Sequence, residues 1–138
     1  MKYALITGGT SGIGFAMAGE FLERGYGVII ASSSRKNLAI AKRKLEVKKS
    51  KIVKNTRYII TIEQDLSVPD GAQKLYHKAK SIGVDIEILV NNAGFGLMGG
   101  TESIRIKDDK RMIQLNVTAV VCLCKLFLRD MYEKEEKW

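Results

Sequence analysis

Short apolar runs alternate along the chain with longer segments in which apolar residues recur every three or four positions. The runs at 2–7, 28–31, 58–62 and 86–90 are each four to six residues long and rich in Ile, Val and Leu. Runs of this length that end at glycine or polar residues are typical of buried strands. The pattern therefore predicts four strands.

The segments between these runs have helical periodicity, with apolar residues that recur on one side. The residues that carry this pattern are Ile13, Met17 and Phe21 after the first run, Leu38, Ala41 and Leu45 after the second, Ala72, Leu75, Tyr76 and Ala79 after the third, and Met112, Leu115, Ala119, Cys122, Leu123, Leu126 and Phe127 at the end of the chain. The last helix is predicted to start near Asp108. Four helices thus follow four strands.

Glycine and capping residues predict where the helices end and begin. Gly25 and Gly83 are placed to end the first and third helices, because glycine accepts the left-handed conformation at a helix exit. Ser67 and Asp70 resemble a capping box that starts the third helix, with Pro69 in its first turn.

Alternation of strand and helix predicts the architecture. Strands separated by helices of 10–15 residues form right-handed crossovers, which give a parallel sheet with helices on both faces. No proline-, glycine- or serine-rich stretch is long enough to be a linker. Residues 1–138 are therefore predicted to be one α/β domain.

The net charge of +8 comes from one segment. Residues 35–57 contain ten basic side chains and one acid, Glu46, so this segment carries +9 and the remainder −1. A solvated helix face followed by a loop explains such a run, and a role for Arg35 or Lys36 in holding a phosphate is the other interpretation. Aromatic residues that stack on bases are not interleaved there, so nucleic acid is not an expected partner.

Nothing in the sequence predicts a membrane or secretory protein. The N-terminus does not resemble a signal peptide, and no uninterrupted apolar segment approaches the roughly 20 residues that cross a bilayer. Cys122 and Cys124 are too close to form a useful disulfide. We expect a cytoplasmic location, no membrane partner and no metal site.

A glycine-rich turn follows the first strand and opens the first helix. Glycines at 8, 12 and 14 let the backbone bend sharply and leave no Cβ between the chain and a diphosphate, which would face free N–H groups at the helix start. The spacing differs from the commonest dinucleotide fingerprint, Gly-x-Gly-x-x-Gly. The residues predicted to bind the cofactor here are Gly8, Thr10, Ser11, Gly12, Ile13 and Gly14.

Four motifs together resemble the short-chain dehydrogenase/reductase family. They are Thr7-Gly8-x-x-x-Gly12-Ile13-Gly14, Asp65-Leu66 after the third strand, Asn91-Asn92-Ala93-Gly94 after the fourth, and Asn116 in the last helix. The resemblance covers nearly the whole chain. It implies a Rossmann-like sheet of order 3-2-1-4 that is incomplete, a nicotinamide dinucleotide partner, and hydride transfer with an alcohol or carbonyl substrate whose identity the sequence does not specify.

The resemblance also implies roles for the residues in these motifs. Asp65 and Leu66 contact the adenine, Asn92, Ala93 and Gly94 border the cofactor, and Asn116 is a catalytic asparagine. Each position has a plainer explanation. Asp65 is able to start a turn, Asn91–Gly94 to form an ordinary strand-end turn, and Asn116 to tie two helices together.

The end of the second strand favours NADP over NAD. An NAD site usually places an acid there to bond the ribose 2′-hydroxyl, whereas this chain has Ser32-Ser33-Ser34-Arg35-Lys36. Serine hydroxyls and a guanidinium suit a 2′-phosphate, so Ser33 and Arg35 are predicted to bind it. The family's phosphate-binding arginine aligns with Ser33, so Arg35 lies two residues beyond the position of that arginine.

The family's remaining catalytic residues do not follow Asn116 in this chain. The resemblance implies a fifth strand, a serine and a Tyr-x-x-x-Lys, but the 22 residues after Asn116 are helical in pattern. Tyr76 and Lys80 match that spacing on the wrong helix, ahead of Asn91. The chain is therefore predicted to be a truncated family member that binds cofactor and is inactive alone, or a non-catalytic nucleotide-binding or regulatory module.

An incomplete sheet has a further consequence. Without a fifth strand, the strand at 86–90 would present an unpaired apolar edge and the last helix an uncovered surface. We therefore expect self-association through this edge or helix, as a homo-oligomer, or poor solubility.

Overall fold

The computed structural model describes residues 1–50 and 58–135. Its strands are β1 (Lys2–Thr7), β2 (Gly27–Ser32), β3 (Ile59–Glu63) and β4 (Asp85–Val90). Its helices are α1 (Gly12–Glu23), α2 (Arg35–Ser50), α3 (Gly71–Ser81), α4 (Ile106–Ile113) and α5 (Ala119–Glu135), with a π-helical turn, Gln114–Thr118, between the last two. The loop predicted after the basic helix lies outside the described residues.

The four strands form one parallel sheet of order β3-β2-β1-β4, which confirms the predicted topology. Leu5 of β1 lies opposite Ile29 of β2 and Leu89 of β4. The β1–β4 pairing shifts register between Tyr3 and Ala4. Within the part of the chain that the structure describes, β4 has a strand neighbour on one side only, as expected for an incomplete sheet.

Alternating side chains of the strands supply two cores, one on each face of the sheet. On one face Leu5, Ile29 and Ile62 pack with α3 and α5. On the other face Ile6 and Ile30 pack with α1 and α2. The pleat sends neighbouring residues to opposite faces, so the continuous apolar runs of β1 and β2 are strands buried on both sides. The predicted helices on both faces are confirmed.

One predicted helix start is wrong, one is confirmed to within two residues, and two helix ends are confirmed. α3 begins at Gly71 with Asp70 as its N-cap, and no side chain makes a capping hydrogen bond. The predicted capping box fails because the Ser67 hydroxyl donates to Asp65 instead. α4 begins at Ile106, two residues before the predicted start. α1 and α3 end just ahead of Gly25 and Gly83, as predicted.

The misplaced Tyr-x-x-x-Lys ties α3 to α5. The hydroxyl of Tyr76, a buried residue, donates to both carboxylate oxygens of Asp130 at 2.9 Å, and the Lys80 ammonium lies 2.8 Å from the same carboxylate. Burial raises the pKa of Asp130, but the hydrogen bonds from Lys80 and Tyr76 outweigh it and hold that pKa below its ordinary value. Tyr76 and Lys80 therefore hold α3 and α5 together.

One helical stretch among the described residues, Ile106–Lys134, is long and apolar enough to cross a membrane by length and composition alone. Only 17% of its most apolar window is buried. Core helices of soluble proteins pass the same test, so this finding is weak evidence for a membrane span. The expected absence of a membrane partner stays a prediction.

Candidate cofactor site

The turn after β1 leaves the start of α1 without a side-chain capping hydrogen bond. Gly8 adopts a left-handed φ of +65° and donates its N–H to the carbonyl of Ala31 at 2.8 Å, which folds the turn back on β2. Ser11 is the N-cap of α1, but its side chain makes no capping hydrogen bond. The helical pattern begins with the Phe15 N–H, which donates to the Ser11 carbonyl at 3.2 Å. The first-turn N–H groups are therefore free to bind an anion.

Two of the three motif glycines lie against the loop that follows β4. A Cβ on Gly14 would lie 2.4 Å from Asn92 Nδ2 and 2.5 Å from the Gly8 carbonyl oxygen. A Cβ on Gly8 would lie 3.0 Å from the Cα of Ala93. A Cβ on Gly12, by contrast, would meet nothing within 4 Å. Gly8 and Gly14 thus allow the close packing, and Gly12 leaves the space in front of the helix open.

Asn92 and Thr7 lock the turn to the loop after β4. Asn92 Nδ2 donates to the carbonyls of Thr7 and Gly8, both at 3.1 Å. The Thr7 hydroxyl oxygen accepts from the N–H groups of Asn92 and Ala93, both at 3.0 Å. Thr7 is 2% exposed. We did not predict Thr7 as a site residue, although a hydroxyl directly before the first motif glycine was the signal available.

Asp65 forms the turn that its plainer interpretation predicted. Its Oδ1 accepts from the Ser67 N–H at 2.8 Å and from the Ser67 hydroxyl at 2.6 Å. Arg111, which the sequence did not single out, donates to the Ser67 hydroxyl oxygen at 3.1 Å and lies 3.9 Å from Asp65 Oδ2. The Ser67 hydroxyl holds the pKa of Asp65 below its ordinary value, against an opposing effect of burial, with Arg111 adding to the lowering.

Asn116 clamps the loop after β4 to the last helix. Its Nδ2 donates to the carbonyl of Phe95 at 2.8 Å, and its Oδ1 accepts from the Phe95 N–H at 3.1 Å. Asn116 lies in the π-helical turn, a feature frequent at functional sites. The predicted tie between two helices is therefore a tie between a helix and a loop. A catalytic role for Asn116 stays a prediction.

A cleft of about 290 Å³ lies in front of these elements, at the carboxyl ends of the strands. The predicted residues that line it are Gly8, Thr10, Ser11, Ser33, Asp65, Leu66, Asn92, Ala93 and Gly94. Four further residues that line the cleft were not predicted: Ala31, Ser32, Gln64 and Leu115. The predicted residues that do not line the cleft are Gly12, Ile13, Gly14, Arg35 and Asn116. The first three form the first turn of α1, and Asn116 contacts the Gly94–Phe95 loop.

The predicted phosphate residues lie where this cleft meets a second groove of about 720 Å³. Ser33 lines both, and Arg35 lines the second. The Ser34 hydroxyl caps α2 by accepting from the Asn37 N–H at 3.2 Å. Arg35 has an acidic partner that we did not predict, because its Nε lies 2.7 Å from Glu63 Oε2.

A parallel sheet with an uncapped glycine turn at its first crossover is the geometry of dinucleotide-binding folds. The sequence profile of the short chain dehydrogenase family matches residues 2–137. The chain belongs to the short chain dehydrogenase family. In residues 1–50 and 58–135, no group of three or more His, Cys, Asp or Glu side chains is placed to hold a metal ion.

Known members of the family resemble the chain over nearly its whole length. It is 33% identical to mouse (Mus musculus) very-long-chain 3-oxoacyl-CoA reductase, over 98% of this chain and 42% of that protein. The NADP active-site complex of Pseudomonas aeruginosa RhlG superposes with a TM-score of 0.77 at 31% identity, over 92% of this chain and 46% of that one. Gluconobacter frateurii L-sorbose reductase, complexed with NADPH and L-sorbose, gives 0.81 at 28% identity, over 96% and 48%.

The short chain dehydrogenase relatives are about twice as long as this chain. The chain spans 39% to 50% of the curated relatives compared with it. Residues 1–138 thus correspond to the nucleotide-binding part of the family fold, which carries the glycine turn, the Asp65 turn and the Asn91–Gly94 loop.

Proposed function

We propose that this chain binds NADP(H) as the nucleotide-binding part of an oxidoreductase that transfers hydride between the nicotinamide and an alcohol or carbonyl substrate. The observation that carries the proposal is the uncapped first turn of α1, packed through Gly8 and Gly14 on Asn92 beside an open cleft. Free N–H groups and a helix dipole at such a position favour a diphosphate. The bound dinucleotide supplies the hydride chemistry.

The lining of the cleft suggests how the chain holds the cofactor. We assign the diphosphate to the first-turn amides with Thr10 and Ser11. The loop Asn92–Gly94 borders the nicotinamide half, and Asn116 positions that loop through Phe95. Asp65 and Leu66 border the adenine. Catalysis itself is assigned to the complete family fold, because no serine followed by Tyr-x-x-x-Lys comes after Asn116 in this sequence.

NADP is preferred over NAD in this proposal. Ser33 and Arg35 offer hydroxyl and guanidinium donors where the chain leaves β2, and neither is an acid that would repel a 2′-phosphate. The complexes of RhlG with NADP and of L-sorbose reductase with NADPH support the same preference.

Thermal unfolding with NADPH and with NADH tests the proposal. A ligand at 100 times its Kd adds about 2.7 kcal/mol to the free energy of unfolding. Arg35→Ala is expected to weaken NADPH binding and to leave NADH binding unchanged. The control is Arg24→Ala, which removes an exposed, ion-paired arginine at the C-terminal end of α1, the end opposite the glycine turn. Stabilisation by neither cofactor would refute the proposal, and equal affinity for both would refute the NADP preference.

We also propose that the chain self-associates and acts in the cytoplasm. Large apolar side chains are 45% to 64% exposed along one stripe of α4, the π-helical turn and α5: Ile113, Val117, Val121, Leu128 and Tyr132. The half-buried edge of β4, which has no strand partner among residues 1–50 and 58–135, adds to this surface. Light scattering after size exclusion is expected to detect an oligomer, which Val121→Glu weakens; a clean monomer at high concentration would contradict it. Free Cys122 and Cys124 suit a reducing compartment.

A further inference from the structure

The Arg35–Glu63 ion pair joins the ends of two neighbouring strands. Glu63 is the last residue of β3 and pairs in register with Ser32, the last residue of β2. Arg35 begins α2 three residues later. The side chains meet through Arg35 Nε and Glu63 Oε2 at 2.7 Å, with 87% of the arginine and 43% of the glutamate side chain exposed. An acid is thus present beside the end of β2, although the sequence there contains none.

The backbone of Glu63 is held in place. The Lys78 ammonium donates to the Glu63 carbonyl at 2.7 Å and to the Gln64 side-chain oxygen at 2.9 Å. β3 pairing holds the residue on the other side. The Glu63 carboxylate therefore stays within reach of the Arg35 guanidinium, and a ligand of Arg35 has to share that guanidinium with it.

We infer that Glu63 is a specificity-determining residue that weakens NADP binding, and spares NAD binding, by competing with the 2′-phosphate for the Arg35 guanidinium. This inference rests on the proposed function. A phosphate pairs best with two parallel N–H donors of a guanidinium. The guanidinium of Arg35 has two edges that offer such a pair of donors, and on one of them Glu63 already occupies the Nε donor. A phosphate that binds this edge has to displace the Glu63 carboxylate, at the cost of the ion pair.

The size of the effect follows from the exposure of the pair. Exposed ion pairs contribute about 0.2–1 kcal/mol, since water and salt screen them, so removing the Glu63 charge should strengthen phosphate binding roughly 1.4- to 5-fold. A ligand without the 2′-phosphate gains nothing. The contrast between two ligands that differ only in this phosphate is therefore the measurement that isolates the effect.

Glu63→Gln tests the inference, because it removes the charge and keeps the shape of the side chain. The probes are adenosine 2′,5′-bisphosphate and adenosine 5′-monophosphate, measured by isothermal titration calorimetry, with NADPH and NADH as the complete ligands. The bisphosphate and NADPH are expected to bind about 1.4- to 5-fold tighter, with the monophosphate and NADH unchanged. The matched control is Glu20→Gln, which removes the ion-pair partner of Arg24 at 2.8 Å. This control is expected to leave the affinities for all four ligands unchanged.

The double variant separates competition for Arg35 from a general charge effect. In an Arg35→Ala background, Glu63→Gln is expected to change bisphosphate affinity by a factor near one. A gain that persists in that background overturns the inference, as does an equal gain for both probes, no gain for either, or weaker NADH binding. If the unchanged chain binds neither NADPH nor NADH, the proposed function fails and the inference with it. If the unchanged chain binds NADPH and Glu63→Gln has no effect, only the inference fails.

Discussion

A methyl group added at Gly14 tests whether the glycine turn is packed as closely as the structure indicates. In Gly14→Ala the new Cβ would lie 2.4 Å from Asn92 Nδ2 and 2.5 Å from the Gly8 carbonyl oxygen. The carbonyl belongs to the backbone and has no flexible end to move away. The turn or the loop after β4 therefore has to shift, and the hydrogen bonds of Asn92 to the Thr7 and Gly8 carbonyls shift with it.

The expected magnitude comes from two opposing effects. An extra methyl in a well-packed site costs about 1–3 kcal/mol, while alanine in a helix is better than glycine by about 0.5–1 kcal/mol. Gly14→Ala should therefore lower the free energy of unfolding by about 1 kcal/mol, and by at most about 2.5 kcal/mol. Because the displaced turn also carries the first-turn amides, NADPH affinity should fall by at least about ten-fold, the factor that corresponds to 1.4 kcal/mol.

Gly19→Ala is the matched control on the same helix. A Cβ there would meet only the end of the flexible Lys48 side chain, at 3.3 Å, so this variant should be stabilised by about 0.5–1 kcal/mol and bind NADPH normally. Urea unfolding gives the stabilities, and NADPH titration gives the affinities. If Gly14→Ala matches Gly19→Ala in both measurements, the close approach of Gly14 to Asn92 and Gly8 is wrong.

Three further predictions concern the hydrogen bonds around the site and between the helices. Thr7→Val should cost about 1–3 kcal/mol in urea unfolding, because the partly buried N–H groups of Asn92 and Ala93 lose their acceptor; Thr7→Ser should restore most of it. Tyr76→Phe should cost about 1 kcal/mol, through the lost bond to Asp130, without changing NADPH affinity; an affinity loss would contradict its structural role. The Ser67 hydroxyl lowers the pKa of Asp65, so this stabilisation is present above the unfolded-state pKa, about 4, and is lost as pH falls through the folded-state pKa. Ser67→Ala should therefore flatten the acid limb of a stability–pH profile.

The sequence by itself determined the elements and their order. Strand and helix periods are local properties of the chain, so β1 was predicted with its bounds at Lys2 and Thr7 and the other elements within a few residues. Helix ends near Gly25 and Gly83 followed from the glycines for the same reason. The sheet order came from the resemblance carried by four motifs, and the structure confirms it.

Tertiary structure decided which side chains meet. The Ser67 hydroxyl bonds Asp65 rather than capping α3, because the Asp65 turn brings the two groups within 2.6 Å. Arg35 meets Glu63 across 28 positions of sequence, and Tyr76 meets Asp130 across 54. Neither pair follows from periodicity, since each depends on how parallel strands align and how helices pack on the sheet. The sequence thus determined the glycine turn to which we assign the diphosphate, while the Arg35–Glu63 ion pair was decided only when β3 paired with β2.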